Sequence, residues 1–197
     1  MTRPPAAIIA ALLAAATPLL ADADDDRAQA VFSAAYADSC GMAFSASGDL
    51  LEPPQRFQAN MPFTQGEPEP VTIWQFRCDA GAYNLIDVFV MKTVYDGTQP
   101  VALATPSLRV VNRDPEDYES PVERIEIDGW SADTRIVNAS FDPATGTISG
   151  HSYWRGLGDA YDASTWVLRD GGYQLIRFEA DASYDGETEP QLVLTFP

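Results

Sequence analysis

One histidine, His151, and two cysteines, Cys40 and Cys78, are all that these 197 residues offer as imidazole or thiolate ligands. A structural zinc site draws on four such ligands, so the inventory argues against a metal centre. The same scarcity weighs against nucleophilic catalysis. No serine lies in a nucleophile-elbow context, and two thiols alone in one chain read as partners for each other. Basic residues are also few: 12 Lys and Arg stand against 29 Asp and Glu, a formal charge of −17. Nucleic acids and anionic lipid surfaces demand a basic footprint that is missing here. Such an imbalance suits a cationic partner, and it also keeps a protein soluble. The glycines carry no phosphate-loop signature, and no cofactor is expected.

What is present begins with a targeting segment. Arg3 gives a short positive region, residues 6–20 are apolar around Pro18, and Ala21-Asp-Ala23 suits signal peptidase. The run is short for a membrane span. The sequence therefore predicts a signal peptide over residues 1–23, export to the periplasm, and no span in the mature chain. Residues 24–197 are then one β-rich domain, long enough to bury about 70% of its unfolded surface. In an oxidising compartment Cys40 and Cys78 read as a disulfide. Closing that loop disfavours the unfolded chain by roughly 4 kcal/mol on the chain-entropy model.

Residues 28–37 are alanine-rich, with Val31, Ala34 and Ala35 on one helical stripe and Phe32 and Tyr36 on another. This predicts one short amino-terminal helix, preceded by Asp24-Asp-Asp26 at its positive end and capped at Gly41 in the left-handed region. Residues 45–70 read as a long proline-rich loop that packs over a sheet through Phe57, Met61 and Phe63, or else contains one edge strand at residues 56–59. Strands follow. Residues 71–78 alternate, with Val71, Ile73 and Gln75 opposite Trp74, Phe76 and Cys78; residues 83–94 set Asp87, Phe89 and Met91 opposite Ile86, Val88 and Val90. Asp96-Gly97 is a hairpin turn signal. Residues 101–111 form a strand region interrupted at Pro106. Residues 141–197 read as a meander, with Asp170-Gly-Gly172 turning one hairpin. Short connections without crossover helices favour antiparallel pairing. The fold class is mainly β: an antiparallel sheet or sandwich with a carboxyl-terminal meander and one amino-terminal helix.

Several blocks, Phe141-Asp-Pro-Ala-Thr-Gly-Thr-Ile148, Arg155-Gly-Leu-Gly-Asp159, Thr165-Trp166-Val167, Gly172-Tyr-Gln-Leu175 and Cys78-Asp-Ala-Gly-Ala-Tyr-Asn84, resemble a family of bacterial exported proteins. That family is known as domain of unknown function 1176. The likeness runs over residues 70–197, as if the chain were the family's second half alone. It implies a periplasmic β-rich domain and no particular activity. The family pattern carries cysteines where this chain has Ala160 and Tyr184. Their joint absence implies that those two positions are bonded to each other elsewhere in the family.

Arg155 and Asp159 flank Gly156 and Gly158. They form either a binding loop that offers a guanidinium to an anion or an internal pair closing a sharp turn. Trp154, beside that turn, is the tryptophan expected to be exposed, whereas Trp74, Trp130 and Trp166 sit at strand positions typical of a core. His151 could act as a general base with Asp159 or Asp162, although a lone strand histidine is more often a packing residue. Asp181, Asp185, Glu187 and Glu189 surround Gly186, but their spacing is not that of a calcium loop. Arg155, Asp159, Trp154 and His151 are thus the candidate binding residues. The reading is of a non-enzymatic periplasmic module for a protein or envelope ligand, such as a cationic hydrolase of the lysozyme type. The alternatives are a small hydrolase using His151 and Asp159, and a structural envelope component.

Overall fold

The structure is a computed structural model that describes residues 23–197. Apart from Ala23, the predicted signal peptide lies outside the described residues. The chain begins with α1 (Ala23–Tyr36) and a 3-10 turn, Gly41–Ala43. Twelve strands follow: β1 (Gln55–Met61), β2 (Glu69–Ala80), β3 (Leu85–Thr93), β4 (Gly97–Pro100), β5 (Leu103–Asn112), β6 (Val122–Asp133), β7 (Arg135–Val137), β8 (Ser140–Asp142), β9 (Thr147–Tyr153), β10 (Tyr161–Arg169), β11 (Gly172–Asp181) and β12 (Gln191–Thr195). All named pairs are antiparallel. They make one sheet of order β1-β2-β3-β4 with β7 added to β3, a second of order β12-β11-β10-β9-β8, and a ribbon of β5 with β6.

The alternation along β2 and β3 decides the layering. Val71, Ile73, Phe89 and Met91 point into a core shared with Ile148, Trp166, Leu168 and Phe178 of the meander sheet. The opposite faces present Trp74, Phe76, Val88 and Val90 to the helix. Both faces of β2 are therefore covered, and the molecule is layered as helix, sheet, sheet. The helix buries Ala28, Phe32 and Tyr36, one stripe at four-residue spacing, rather than the Val31, Ala34 and Ala35 stripe. Bulk explains the choice: the Phe32 ring stacks on Phe76 at 4.4 Å, a contact that alanine cannot make.

Cys40 and Cys78 are disulfide-bonded and wholly buried, fastening the end of the helix to β2. At the helix start Asp24 pairs with Lys92 at 2.6 Å, and Asp25 accepts the Trp74 indole N–H at 2.8 Å. The acids expected merely to favour the helix dipole are also tertiary ties.

Three local expectations change. Gly41 is not left-handed; it opens the 3-10 turn, and the Cys40 N–H closes the helix on the Tyr36 carbonyl at 2.8 Å. The 45–70 stretch is not loop throughout. Its edge strand runs as β1 from Gln55 to Met61 because Ala59 and Met61 alternate inward between the flanking prolines. Pro106 does not interrupt β5. It lies opposite Trp130 in a two-stranded ribbon, where a missing N–H is tolerated.

Candidate functional site

The Arg155–Asp159 turn leaves β9 and returns the chain to β10. Gly158 takes φ +78°, a conformation that glycine adopts without steric cost. The turn closes through Trp154 N–H to the Ala160 carbonyl at 2.9 Å and Gly158 N–H to the Arg155 carbonyl at 3.1 Å. This geometry folds the Asp159 carboxylate inward, where it is 3% exposed. Arg155 Nε donates to its Oδ1 at 2.7 Å, a second guanidinium nitrogen donates to Oδ2, and the Gly186 N–H reaches Oδ2 at 2.9 Å. The Arg155 hydrogen bond holds the Asp159 carboxyl well below the usual carboxylate range, overcoming the opposing effect of desolvation. Of the two readings of this block, the internal pair is what forms. The Asp159–Gly186 bond also brings the segments bearing Ala160 and Tyr184 side by side.

Arg155 has a second contact. Its guanidinium carbon lies 5.0 Å from the centre of the Tyr184 ring, a cation–π arrangement. Tyr184 in turn meets Tyr118 edge to face at 5.5 Å and approaches Trp154 at 6.4 Å. These three rings stand in the wall of a cleft of about 580 Å³ between β5, the loop after it and the loop after β11. Glu116, Asp117 and a cation, Arg109, line the same cleft, and Arg109 is paired with Glu126 on β6. The loop carrying Tyr118 is fixed from within, since Asn112 Nδ2 donates to the carbonyls of Tyr118 at 2.9 Å and Ser120 at 3.1 Å. Tyr118 nevertheless remains 68% exposed.

Trp154 is half-buried rather than the exposed tryptophan, and its indole N–H is occupied by Asp162 Oδ2 at 2.7 Å. It offers the cleft only ring surface. Trp130, expected in the core, is instead 54% exposed, because β6 belongs to a ribbon rather than to a sandwiched sheet. Trp74 and Trp166 are buried as expected.

His151 lies apart from this cleft. Its ring stacks on Tyr161 and meets Tyr153 edge on, both at 4.4 Å, and its Nε2 is buried without a hydrogen-bond partner. Burial lowers its pKa, against the attraction of Asp162 and Glu179. Burial likewise raises the Asp162 carboxyl, against the Trp154 hydrogen bond. Asp159, by contrast, is engaged by Arg155 and Gly186. The four candidate residues therefore divide. Arg155 and Asp159 support the cleft wall, Trp154 lines it, and His151 packs among tyrosines.

The acidic loop after β11 is organised by the last residue of that strand. Asp181 accepts the Ser183 hydroxyl at 2.7 Å and the Ser183 and Glu189 N–H groups at 3.1 and 2.6 Å. Among the described residues no group of three or more His, Cys, Asp or Glu side chains is placed to hold a metal ion. Sequence reasoning missed Tyr118 and passed over Tyr184 as a binding residue. Both are loop aromatics without periodic neighbours, so no pattern marked them.

Fold and site together define a class: a helix-clipped antiparallel β protein with an aromatic cleft edged by carboxylates. The chain belongs to the family described as protein of unknown function (DUF1176), whose family model matches residues 4–191. That span corrects the expectation of a second half standing alone, since the helix, β1 and β2 are part of the family pattern too. No curated protein and no solved structure matches the chain.

Proposed function

We propose that this protein is an exported envelope module without catalytic chemistry that captures a cationic protein. The observation that carries the reading is the cleft, lined by aromatic rings, Glu116 and Asp117, with its cation Arg109 already paired to Glu126, on a chain of net charge −17. A like-signed surface of this kind steers a basic partner by long-range attraction, and the rings supply the short-range contact. The buried disulfide is compatible with an oxidising compartment. A lysozyme-type hydrolase is one basic protein that meets the description.

The test is retention of a panel of basic proteins, a lysozyme among them, on the immobilised chain at low and physiological salt. Binding should be clear at low ionic strength and weaken at least about tenfold by 0.15 M salt, where the screening length falls to ~8 Å. Failure to retain any basic protein at low salt, or affinity indifferent to salt, overturns the proposal. The hydrolase alternative has less support, because the carboxylate it needs at Asp159 is already engaged.

A further inference from the structure

Besides the three-ring cleft, two features of the molecule have chemical potential. The groove formed by Met42, Leu51 and Leu85 beside Arg77 is apolar, but its other lining groups, Glu52 and Asp79, give no single ligand class. His151 lines a smaller cleft of about 200 Å³ with Asp133, Arg135 and Asp162, but its Nε2 is buried and its ring is held against Tyr153 and Tyr161. The three-ring cleft combines aromatic faces with two acids, Glu116 and Asp117, and its cation, Arg109, is paired with Glu126.

We infer that the cleft seats the guanidinium of a single arginine side chain from its ligand, against the cluster of Tyr118, Tyr184 and Trp154, and that Asp159 is the positioning residue that keeps Tyr184 in the seat. This rests on the proposed capture of a basic protein and specifies how that protein is gripped. A planar cation is favoured over the faces of aromatic rings, and guanidinium sheds water more readily than an ammonium. The Tyr118 and Tyr184 rings stand nearly perpendicular, at 89°, so a flat group can lie on one face while meeting the other ring's edge. Glu116 and Asp117 supply acceptors at the same cleft.

Tyr184 stands on a loop, and a loop aromatic left to itself would sample many positions. Asp159 removes that freedom twice. It accepts the Gly186 N–H two residues beyond Tyr184, and it holds Arg155 against the Tyr184 ring. Arg155 is not part of the cleft lining, so its charge supports the ring from outside the seat. The pairing with Asp159 offsets that charge, which would otherwise repel an incoming cation. One buried carboxylate thus ties down the backbone, aims the ring and neutralises the support.

The test uses the whole mature chain and two small probes, Nα-acetyl-arginine amide and its neutral isostere Nα-acetyl-citrulline amide, followed by NMR of the tyrosine rings. The arginine probe should shift the Tyr118 and Tyr184 ring signals and bind at least about tenfold more tightly than the citrulline probe. Tyr184→Ala should abolish that binding. Asp159→Asn should lose the ring-current shift between Tyr184 and Tyr118 and weaken the arginine probe about tenfold. Asp142→Asn removes a turn carboxylate from the β8–β9 turn and should change neither. Should Asp159→Asn not fold, Arg155→Lys tests the same support, since it keeps a charge but cannot fork onto the carboxylate.

Equal binding of the two probes overturns the guanidinium seat, and so does wild-type affinity in Tyr184→Ala. Unaltered ring shifts and affinity in both support variants overturn the role of Asp159. Capture of basic proteins that persists in Tyr184→Ala sinks the seat and leaves the proposed function standing. An arginine probe that binds while no basic protein is retained does the reverse.

Discussion

The helix side and the cleft side of this molecule are held by opposite chemistry. On the first, Phe32 stacks on Phe76 and a buried disulfide closes the layer, so the attachment is chiefly apolar and covalent, with Asp24 and Asp25 adding polar ties at the helix start. On the second, Asp159 and Asp181 fasten the loop after β11 through hydrogen bonds and charge. Apolar burial is non-directional and nearly indifferent to salt and pH, whereas charge-assisted bonds set positions but answer to both. The first kind of attachment builds a platform. The second places individual side chains, which is what a binding cleft needs.

Replacing both Cys40 and Cys78 by Ala attacks the platform and should lower the unfolding free energy by about 4 kcal/mol. Urea denaturation measures it, and a loss below about 1 kcal/mol would break the contrast by showing that the helix side does not depend on its bridge. A second probe lies on β9, where the sandwich is tightest. A methyl group at Gly150 would sit 2.9 Å from Ile136 Cγ2 and 3.3 Å from the Trp166 ring. Gly150→Ala should therefore cost roughly 1–3 kcal/mol through overpacking, read as a drop in melting temperature.

Asp181→Asn should have a smaller and more local effect, about 1–2 kcal/mol. Amide exchange at Ser183 and Glu189 should accelerate while Trp74 and Phe76 keep their protection. If the helix side loosened too, the two regions would be one cooperative unit and the comparison would fail. The smallest expected effect concerns pH. Burial holds His151 below its ordinary value of 6.5, so the folded chain binds fewer protons there than the unfolded one. The stability linked to it is complete above pH 6.5 and is lost as pH falls through that value towards the depressed one. Asp162, raised above 3.8, has the opposite sign: its contribution is present below that value and fades as pH rises through the raised one. In His151→Phe the decline of melting temperature just below pH 6.5 should flatten, and an unchanged slope would refute the assignment.

The parts of the fold that the sequence foretold are those where a period meets a buried face. Residues 71–78 and the 83–94 run alternate between two real surfaces, so inward and outward residues were sorted correctly. The disulfide followed from a count of two. The helix stripe was harder, because alanine fits either face and only the size of the Phe32 pocket decides between them. Strand β1 was legible only as an alternative edge strand at residues 56–59, because its pattern spans few residues among prolines. For the site, the Arg155–Asp159 block was visible as a glycine-flanked ion pair, but its task was not. That task depends on Gly186 and Tyr184, more than twenty residues away, and no local pattern encodes such a meeting. Trp130 was assigned to the core for a related reason: alternation shows that a strand has two faces, not whether both are covered.

The β5–β6 ribbon leaves each of its strands with an outer edge that has no ladder neighbour among the described residues. Such edges invite another chain to add itself. Here β5 carries Pro106, which has no N–H to extend a ladder, and β6 sets Glu123, Glu126 and Asp128 along the opposite margin. Two molecules meeting edge to edge would bring acid against acid, so crowding should keep them separate rather than seed fibres.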